Sequence, residues 1–216
     1  MSQQVYIYGP DFSTFVRSVK LVCEEKGISY QSGYAPEGRE LKFGSQQHLE
    51  IHPFAKVPVL LHDGHHVCES SSILRYLEAA FPEPSLQPGD LWQRTLVDQW
   101  CGIVAGYIDQ AIVRKYLLEF SRPKGPDGTV SLERVEAALP DLRNAIALIE
   151  EQLGHGDYLC GEQFTLADAL LAPMVHYLCP LPGVEKVLSP DSNIRGYVSR
   201  VLQRESGQRV LKPFGS

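Results

Sequence analysis

Hydrophobic positions along the first third of the chain change their period several times. Residues 5–8 form a short β-prone run, and residues 13–26 carry apolar side chains every three or four positions, which is the period of a helix. Gly27 follows in the position of a helix stop. A second β-prone run at 28–33 completes a strand, helix, strand order, so an α/β unit is predicted at the N-terminus.

A hairpin and a helix follow the first unit. Residues 59–62 and 65–68 are β-prone runs separated by Asp63-Gly64, and an Asp-Gly pair between two such runs is typical of a type I′ turn. From Ser70 to Pro82 the apolar residues again recur at three and four positions, which predicts a further helix. The predicted order is therefore βαβ followed by ββα.

The remainder of the chain is periodic at helical spacing. Residues 82–90 contain three prolines and are predicted to be a linker between a domain at 1–81 and an all-helical domain at 91–216. Pro140 and Pro173 are expected to kink or divide the helices that contain them. Helices are predicted for four segments of this domain: 91–120, 132–153, 165–178 and 193–204.

Composition narrows the range of partners. The chain has 216 residues and a formal net charge of −6 without a basic cluster, so nucleic acids and anionic membrane surfaces are not expected partners. No apolar run approaches the ~18–20 residues that a membrane span needs. The five cysteines are scattered, which favours free thiols over a disulfide framework or a zinc site. We therefore expect a soluble cytoplasmic protein.

The start of the helix at Ser70 is a candidate anion site. The first N–H groups of a helix lack partners within it, and together with the Ser70 hydroxyl and the positive end of the helix dipole they suit a carboxylate. Pro58 must lie at the start or edge of its strand, because proline has no N–H to donate. A trans Val57–Pro58 bond is the commoner form, whereas a cis bond would turn the Val57 backbone toward a peptide-like ligand.

Two other groups of residues have a structural interpretation. Thr165 and Asp168 have the spacing of a capping box at the start of a helix. His62, His65 and His66 crowd the hairpin, but alternate strand residues face opposite sides and no further ligand is clearly placed to complete a metal shell. No metal site is expected.

Four motifs in this order resemble those of the cytosolic glutathione transferases. They are Tyr8-Gly-Pro-Asp-Phe-Ser13-Thr-Phe-Val-Arg17-Ser-Val, Pro53-Phe-Ala-Lys-Val-Pro58, Glu69-Ser70 and Phe164-Thr-Leu-Ala-Asp168. The resemblance spans essentially the full length and implies a thioredoxin-like N-terminal domain followed by an all-α domain. It also implies glutathione as co-substrate, no metal, and a two-fold homodimer.

The resemblance assigns the glutathione-binding residues. It implies that Val57 binds the cysteinyl part through its backbone before a cis proline, against the preference for trans given above. It also implies that Glu69 and Ser70 bind the γ-glutamyl end of glutathione. Lys56 takes the place of a polar or basic ligand-binding residue, and Lys42 is a candidate for the glycyl carboxylate.

The resemblance also names the thiolate-activating residue. Ser13 takes the position of the activating serine in the serine-type classes. The spacing of Ser13, Arg17 and Val19 is similar to that of phi-type enzymes and their bacterial relatives, and the Ser13 hydroxyl would donate to the thiolate. Tyr8, at the end of the first strand, is the rival donor, and Ser13 could instead be a plain helix cap. Cys23 lies too deep in the first helix for disulfide exchange.

The expected chemistry is attack of the thiolate on an electrophilic small molecule or a peroxide in an apolar cleft. Trp100, Val104 and Tyr107 on the first long helix belong to an apolar stripe, which is more often core than pocket, and part of it is expected to line the electrophile site with Phe12. Two alternatives stay open: a glutathione-dependent isomerase or dehalogenase of a catabolic pathway, and a non-catalytic binding module of the same fold.

Overall fold

The computed structural model describes residues 4–213, so the outer limits of the two predicted domains lie outside the described residues. Four strands form one sheet in the order β2-β1-β3-β4. β1 pairs in parallel with β2 and antiparallel with β3, and β4 forms the antiparallel edge. The strands are β1 Val5–Tyr8, β2 Tyr30–Gly33, β3 Val59–His62 and β4 His65–Val67.

Helices account for most of the remaining described residues. Those of the N-terminal half are α1 Thr14–Glu25, α2 Gln46–Ile51 and α3 Ser70–Ala80. The second half contains α4 Leu91–Ile103, a π-helical segment Val104–Leu117, α5 Leu118–Ser121, α6 Leu132–Leu153, α7 Leu166–Leu178, α8 Asn193–Gln203 and α9 Glu205–Val210. A sheet with helices followed by an all-helical half confirms the predicted fold class.

α1 is the element shared by both halves. It packs against α3 on the sheet side and against α7 and α9 of the helical half. Nine of its twelve residues are buried, including Arg17 and Lys20. Because α1 is enclosed on both sides, the position of its N-terminus is fixed by the whole molecule.

The first long helix departs from the prediction. The sequence predicts one α-helix over 91–120, whereas the structure changes to π-helical hydrogen bonding between Val104 and Leu117. In a π-helix each N–H bonds to the carbonyl five residues earlier, so residues five apart lie on roughly the same face. The sequence pattern assumed 3.6 residues per turn throughout.

Proline and capping predictions have different outcomes. Pro140 and Pro173 are predicted to kink or divide their helices, but they lie inside the continuous helices α6 and α7, which they do not divide. The capping box at the start of α7 is confirmed, with Asp168 Oδ2 accepting from the N–H and the hydroxyl of Thr165 at 2.8 Å each. Asp168 Oδ1 also accepts from the Leu159 N–H at 2.8 Å, which ties the preceding loop to the helix.

Candidate active site

A cleft of about 470 Å³ lies between the sheet side and the helical half. Its sheet-side lining consists of Phe15, His52, Phe54, Lys56, Val57, Pro58, Glu69, Ser70 and Ser71. Its helical lining consists of Ala105, Gln110 and Arg114. Four of the predicted glutathione-binding residues therefore share one wall, although 13 positions separate Lys56 from Glu69 in the sequence.

The loop between β1 and α1 adjoins Val57. A Cβ at Gly9 would lie 2.7 Å from Val16 Cγ2 and 3.0 Å from Val57 Cβ, and Gly9 has φ +140°. Only glycine meets both requirements, because a side chain would clash and would be strained at this φ. The Val57–Pro58 bond is cis, as the resemblance implied.

The start of α3 has the features expected of an anion site. Glu69 precedes the helix with φ 64° and ψ 115°, a conformation that costs about 1–3 kcal/mol for a residue other than glycine. Its carbonyl accepts from the N–H groups of Ser72 and Ile73 at 2.9 Å each. The N–H groups of Ser70 and Ser71 have no acceptor within residues 4–213. Free N–H groups at the start of a helix suit a carboxylate.

Ser13 is the N-cap of α1, half-buried, with its Oγ accepting from the Val16 N–H at 3.5 Å. The loop ahead of it is held by two side chains. Arg17 Nε donates to the Asp11 carbonyl at 2.8 Å, and the Tyr177 hydroxyl donates to the Phe12 carbonyl at 3.1 Å. Among the described residues, Ser13 does not itself line the cleft, whereas Phe15 in the same first turn does.

Tyr8 has a different environment. Its side chain is fully buried, and its hydroxyl donates to the Leu41 carbonyl at 2.9 Å. Burial, with smaller contributions from Tyr34 and Tyr6, raises the pKa of Tyr8 to about 12. A hydroxyl already bound to a carbonyl is poorly placed to donate to a thiolate.

The predicted electrophile residues do not meet at the cleft. Trp100 and Val104 are 6% and 0% exposed and pack in the main core, which corrects the expectation that they line a pocket. Phe12 and Tyr107 are exposed at 51% and 80%, but neither is among the described lining residues. An apolar stripe on a helix is more often core than pocket, and Trp100 and Val104 are core residues here.

Lys42 also lies apart from the cleft. It is exposed, its carbonyl accepts from the Ser45 N–H at 3.1 Å, and it is not among the described lining residues. Lys56, in contrast, lines the cleft, and its carbonyl oxygen lies 2.9 Å from His48 Nε2.

Sequence reasoning missed the helical wall. Ala105 and Gln110 are five residues apart, and so are Asp109 and Arg114, which is the spacing of the π-helical segment. Arg114 Nε donates to Asp109 Oδ2 at 2.8 Å. Burial raises the pKa of Asp109, and the charges of Arg114 and Lys56 oppose this rise. An α-helical period does not place residues five apart on one face, so the sequence pattern did not indicate these positions.

Neither a metal cluster nor a membrane span is found in the part of the chain that the structure describes. His62, one of the three hairpin histidines, is buried with its Nδ1 2.8 Å from the Tyr76 hydroxyl. All five cysteines are free thiols.

Comparison with known proteins gives matches to both halves. A family model for "Glutathione S-transferase, N-terminal domain" matches residues 7–85, and one for "Glutathione S-transferase, C-terminal domain" matches residues 133–200. The probable glutathione S-transferase parC of Nicotiana tabacum is 32% identical over 208 residues, which cover 92% of this chain and 85% of that protein. Glutathione S-transferase F10 of Arabidopsis thaliana is 26% identical over 215 residues, 96% of each protein.

A solved structure has the same fold. It is a theta class glutathione S-transferase from Xanthomonas axonopodis pv. citri, with glutathione bound. It aligns with a TM-score of 0.82 over 98% of this chain and 99% of that chain, at 23% identity.

Proposed function

Since the chain belongs to the glutathione S-transferase family and uses glutathione as co-substrate, we propose that it activates the glutathione thiol as a thiolate through Ser13. The observation that carries this proposal is the shared wall of Lys56, Val57, Glu69 and Ser70 beside the N-terminus of α1. Glutathione lies along this wall, with its γ-glutamyl carboxylate on the Ser70 and Ser71 N–H groups and its ammonium on Glu69. Lys56 pairs with a carboxylate of glutathione.

Ser13 and the start of α1 can supply the stabilisation that a thiolate needs. A thiol titrates near ~8.5, and lowering its pKa by about two units takes roughly 2.7 kcal/mol. A hydrogen bond to a charged acceptor contributes about 1.5–3 kcal/mol, and a helix N-terminus contributes about 0.3–2 kcal/mol. The two together suffice without a metal or a general base. Ser13 acts as a hydrogen-bond donor.

The reaction places the thiolate against an electrophile held on the helical wall. In transfer, a carbon–sulfur bond forms and the leaving group departs with the bonding electron pair. Reduction of a hydroperoxide by the same thiolate is the second chemistry supported by this arrangement. A dedicated isomerase or dehalogenase would use the same sheet-side wall with a narrower pocket.

Two measurements test the proposal. Retention on immobilised glutathione is expected, and its absence would favour the non-catalytic binding module. A panel of aryl halides, activated alkenes and hydroperoxides, assayed with glutathione, should give turnover for at least one class. Binding of glutathione without turnover of any class would contradict the transferase chemistry.

The expected homodimer and cytoplasmic location stay predictions. Leu91 and Trp92 at the start of α4 are exposed at 77% and 62%, which supports a protein partner for this surface. A monomer by light scattering at micromolar concentration would contradict the dimer.

A further inference from the structure

The helical wall of the cleft carries a cation that the proposed glutathione contacts do not use. Arg114 lines the cleft next to Gln110, and 42% of its side-chain surface is exposed. A neutral apolar electrophile packed over a guanidinium would remove its hydration without replacing the lost hydrogen bonds, which is unfavourable. A ligand that forms hydrogen bonds with this group avoids that cost.

Arg114 is held in place while most of its donors stay available. Its Nε donates to Asp109 Oδ2 at 2.8 Å, and the side chain of Asp109 is only 4% exposed. A guanidinium has five N–H donors, and within residues 4–213 no acceptor is recorded for the other four. The guanidinium carbon lies 5.8 Å from the centre of the Phe15 ring. The free donors are therefore near the first turn of α1, where the glutathione sulfur is proposed to lie.

The π-helical segment is what joins Asp109 to Arg114. In an α-helix, residues five apart point about 140° away from each other, because each residue turns by about 100°. In the segment Val104–Leu117 the two residues stand on one face and can pair. The local helix geometry thus fixes a cation toward the cleft.

We propose that Arg114 selects an electrophilic co-substrate that carries a carboxylate. The carboxylate binds to the free N–H donors of Arg114, an arrangement that planar guanidinium and carboxylate groups commonly form, and Gln110 adds a further donor. Lys56 lies on the opposite wall, and the proposed function already pairs its positive charge with glutathione. This inference rests on the proposed function and names the substrate class of the same cleft.

A matched pair of electrophiles tests the inference. In 4-chloro-3-nitrobenzoate and 4-chloro-3-nitrobenzamide the thiolate forms a bond to the carbon that bears chlorine, and chloride leaves with the bonding pair. Values of kcat/KM for each, divided by the uncatalysed rate with glutathione, give an acid-to-amide preference. Wild type is expected to favour the acid, and Arg114→Gln is expected to lower this preference by about ten- to a hundredfold, as loss of charge-assisted hydrogen bonds implies.

Lys115→Gln is the control for a general charge effect. Lys115 is the next residue, is half exposed, and pairs with Asp141 at 2.5 Å outside the cleft. Its removal changes the net charge equally, and the preference is expected to stay within about twofold because exposed charges are screened.

A second variant guards against loss of folding. Removing Arg114 alone leaves the carboxylate of Asp109 buried without its partner, which is strongly destabilising. The double variant Asp109→Asn with Arg114→Gln removes both charges together. The acid preference is expected to fall in the double variant as in the single one.

Three results would overturn the inference. The first is an acid-to-amide preference that is unchanged in both variants. The second is an equal loss of kcat/KM for the acid and the amide, and the third is a loss confined to glutathione affinity. The second would assign Arg114 to the thiolate, and the third would assign it to glutathione.

The proposed function is tested separately by the wider panel of electrophiles. If wild type turns over neither of these two compounds, calorimetry with the two product conjugates tests the inference. Tighter binding of the carboxylate conjugate that Arg114→Gln abolishes supports the inference, and any other binding result overturns it.

Discussion

The two walls of the cleft present different kinds of groups. The sheet-side wall offers backbone N–H groups at Ser70 and Ser71 and the main chain at Val57, whereas the helical wall offers the side chains of Gln110 and Arg114. Backbone groups are positioned by turns and helix ends, which require particular residues. Side chains on a long helix carry no such local requirement. One wall can therefore keep its ligand while the other changes its substrate.

The largest effect is expected where neither wall is touched. The variant Thr165→Ala with Asp168→Ala leaves the buried Leu159 and Thr165 N–H groups without an acceptor, at about 1–3 kcal/mol each. We expect the free energy of unfolding to fall by about 3–5 kcal/mol, with glutathione affinity of the folded fraction unchanged. Urea unfolding and calorimetry measure the two quantities.

Ser131→Ala is the matched control, since Ser131 caps α6 through one hydrogen bond of 3.4 Å to the Arg134 N–H near the surface. Its cost is expected to be about 1 kcal/mol. Loss of glutathione affinity at unchanged stability in the double variant would show that the capping box belongs to the binding wall.

A smaller effect, on chemistry alone, is expected at Ser13. Ser13→Ala removes the proposed charge-assisted hydrogen bond and leaves the proposed glutathione contacts at Val57, Glu69 and Ser70 in place. The bound thiol's pKa should rise by about 1–2 units and turnover at neutral pH should fall by about ten- to a hundredfold. Glutathione affinity should stay within a few-fold, and raising the pH should recover part of the rate.

Tyr8→Phe is the control for this prediction, because the Tyr8 hydroxyl donates to the Leu41 carbonyl at 2.9 Å. Ultraviolet absorbance of the bound thiolate against pH follows the thiol directly. A shift in Tyr8→Phe with none in Ser13→Ala would transfer the role to the tyrosine.

The smallest effect is expected where the end of α1 contacts the helical half near α9. Glu25 at the end of α1 accepts from Arg204 at 2.7 and 2.6 Å and from the Ser206 hydroxyl. Burial alone would raise the pKa of Glu25, but these hydrogen bonds outweigh burial and lower it. The ionised carboxylate therefore stabilises the folded state above the ordinary glutamate pKa of about 4.3, and this stabilisation disappears as the pH falls through the lowered pKa.

Glu25→Gln should lower the free energy of unfolding by about 1 kcal/mol at neutral pH. The difference from wild type should shrink below pH ~4.3. Glu205→Gln is the control, because the Glu205 side chain is 85% exposed and its pair with Arg209 is screened. A difference that persists unchanged at low pH would show that packing, and not charge, holds α1 to α9.

Local signals made the sheet-side half predictable. Asp63-Gly64 set the turn between β3 and β4, and Ser13 marked the start of α1 within one residue. The cis form of Val57–Pro58 could not be read from spacing, and only the resemblance implied it. Helix α2 was missed because six residues are too few to establish a period.

The helical wall was not predictable by the same means. Trp100 and Val104 fit an α-helical stripe, and burying both in the core is what their apolar side chains favour. The π-helical segment after Ile103 packs against α6 and α7, which lie far along the chain. No local pattern in the sequence records that packing.

The π-helical segment bears on how the helical wall can change. If the same residues formed an α-helix, Asp109 and Arg114 would point about 140° apart and could not share one face. A change of helix type within this segment would therefore alter several positions of the helical wall together, whereas a substitution alters one. The sheet-side wall, which lies in another part of the chain, would keep its residues.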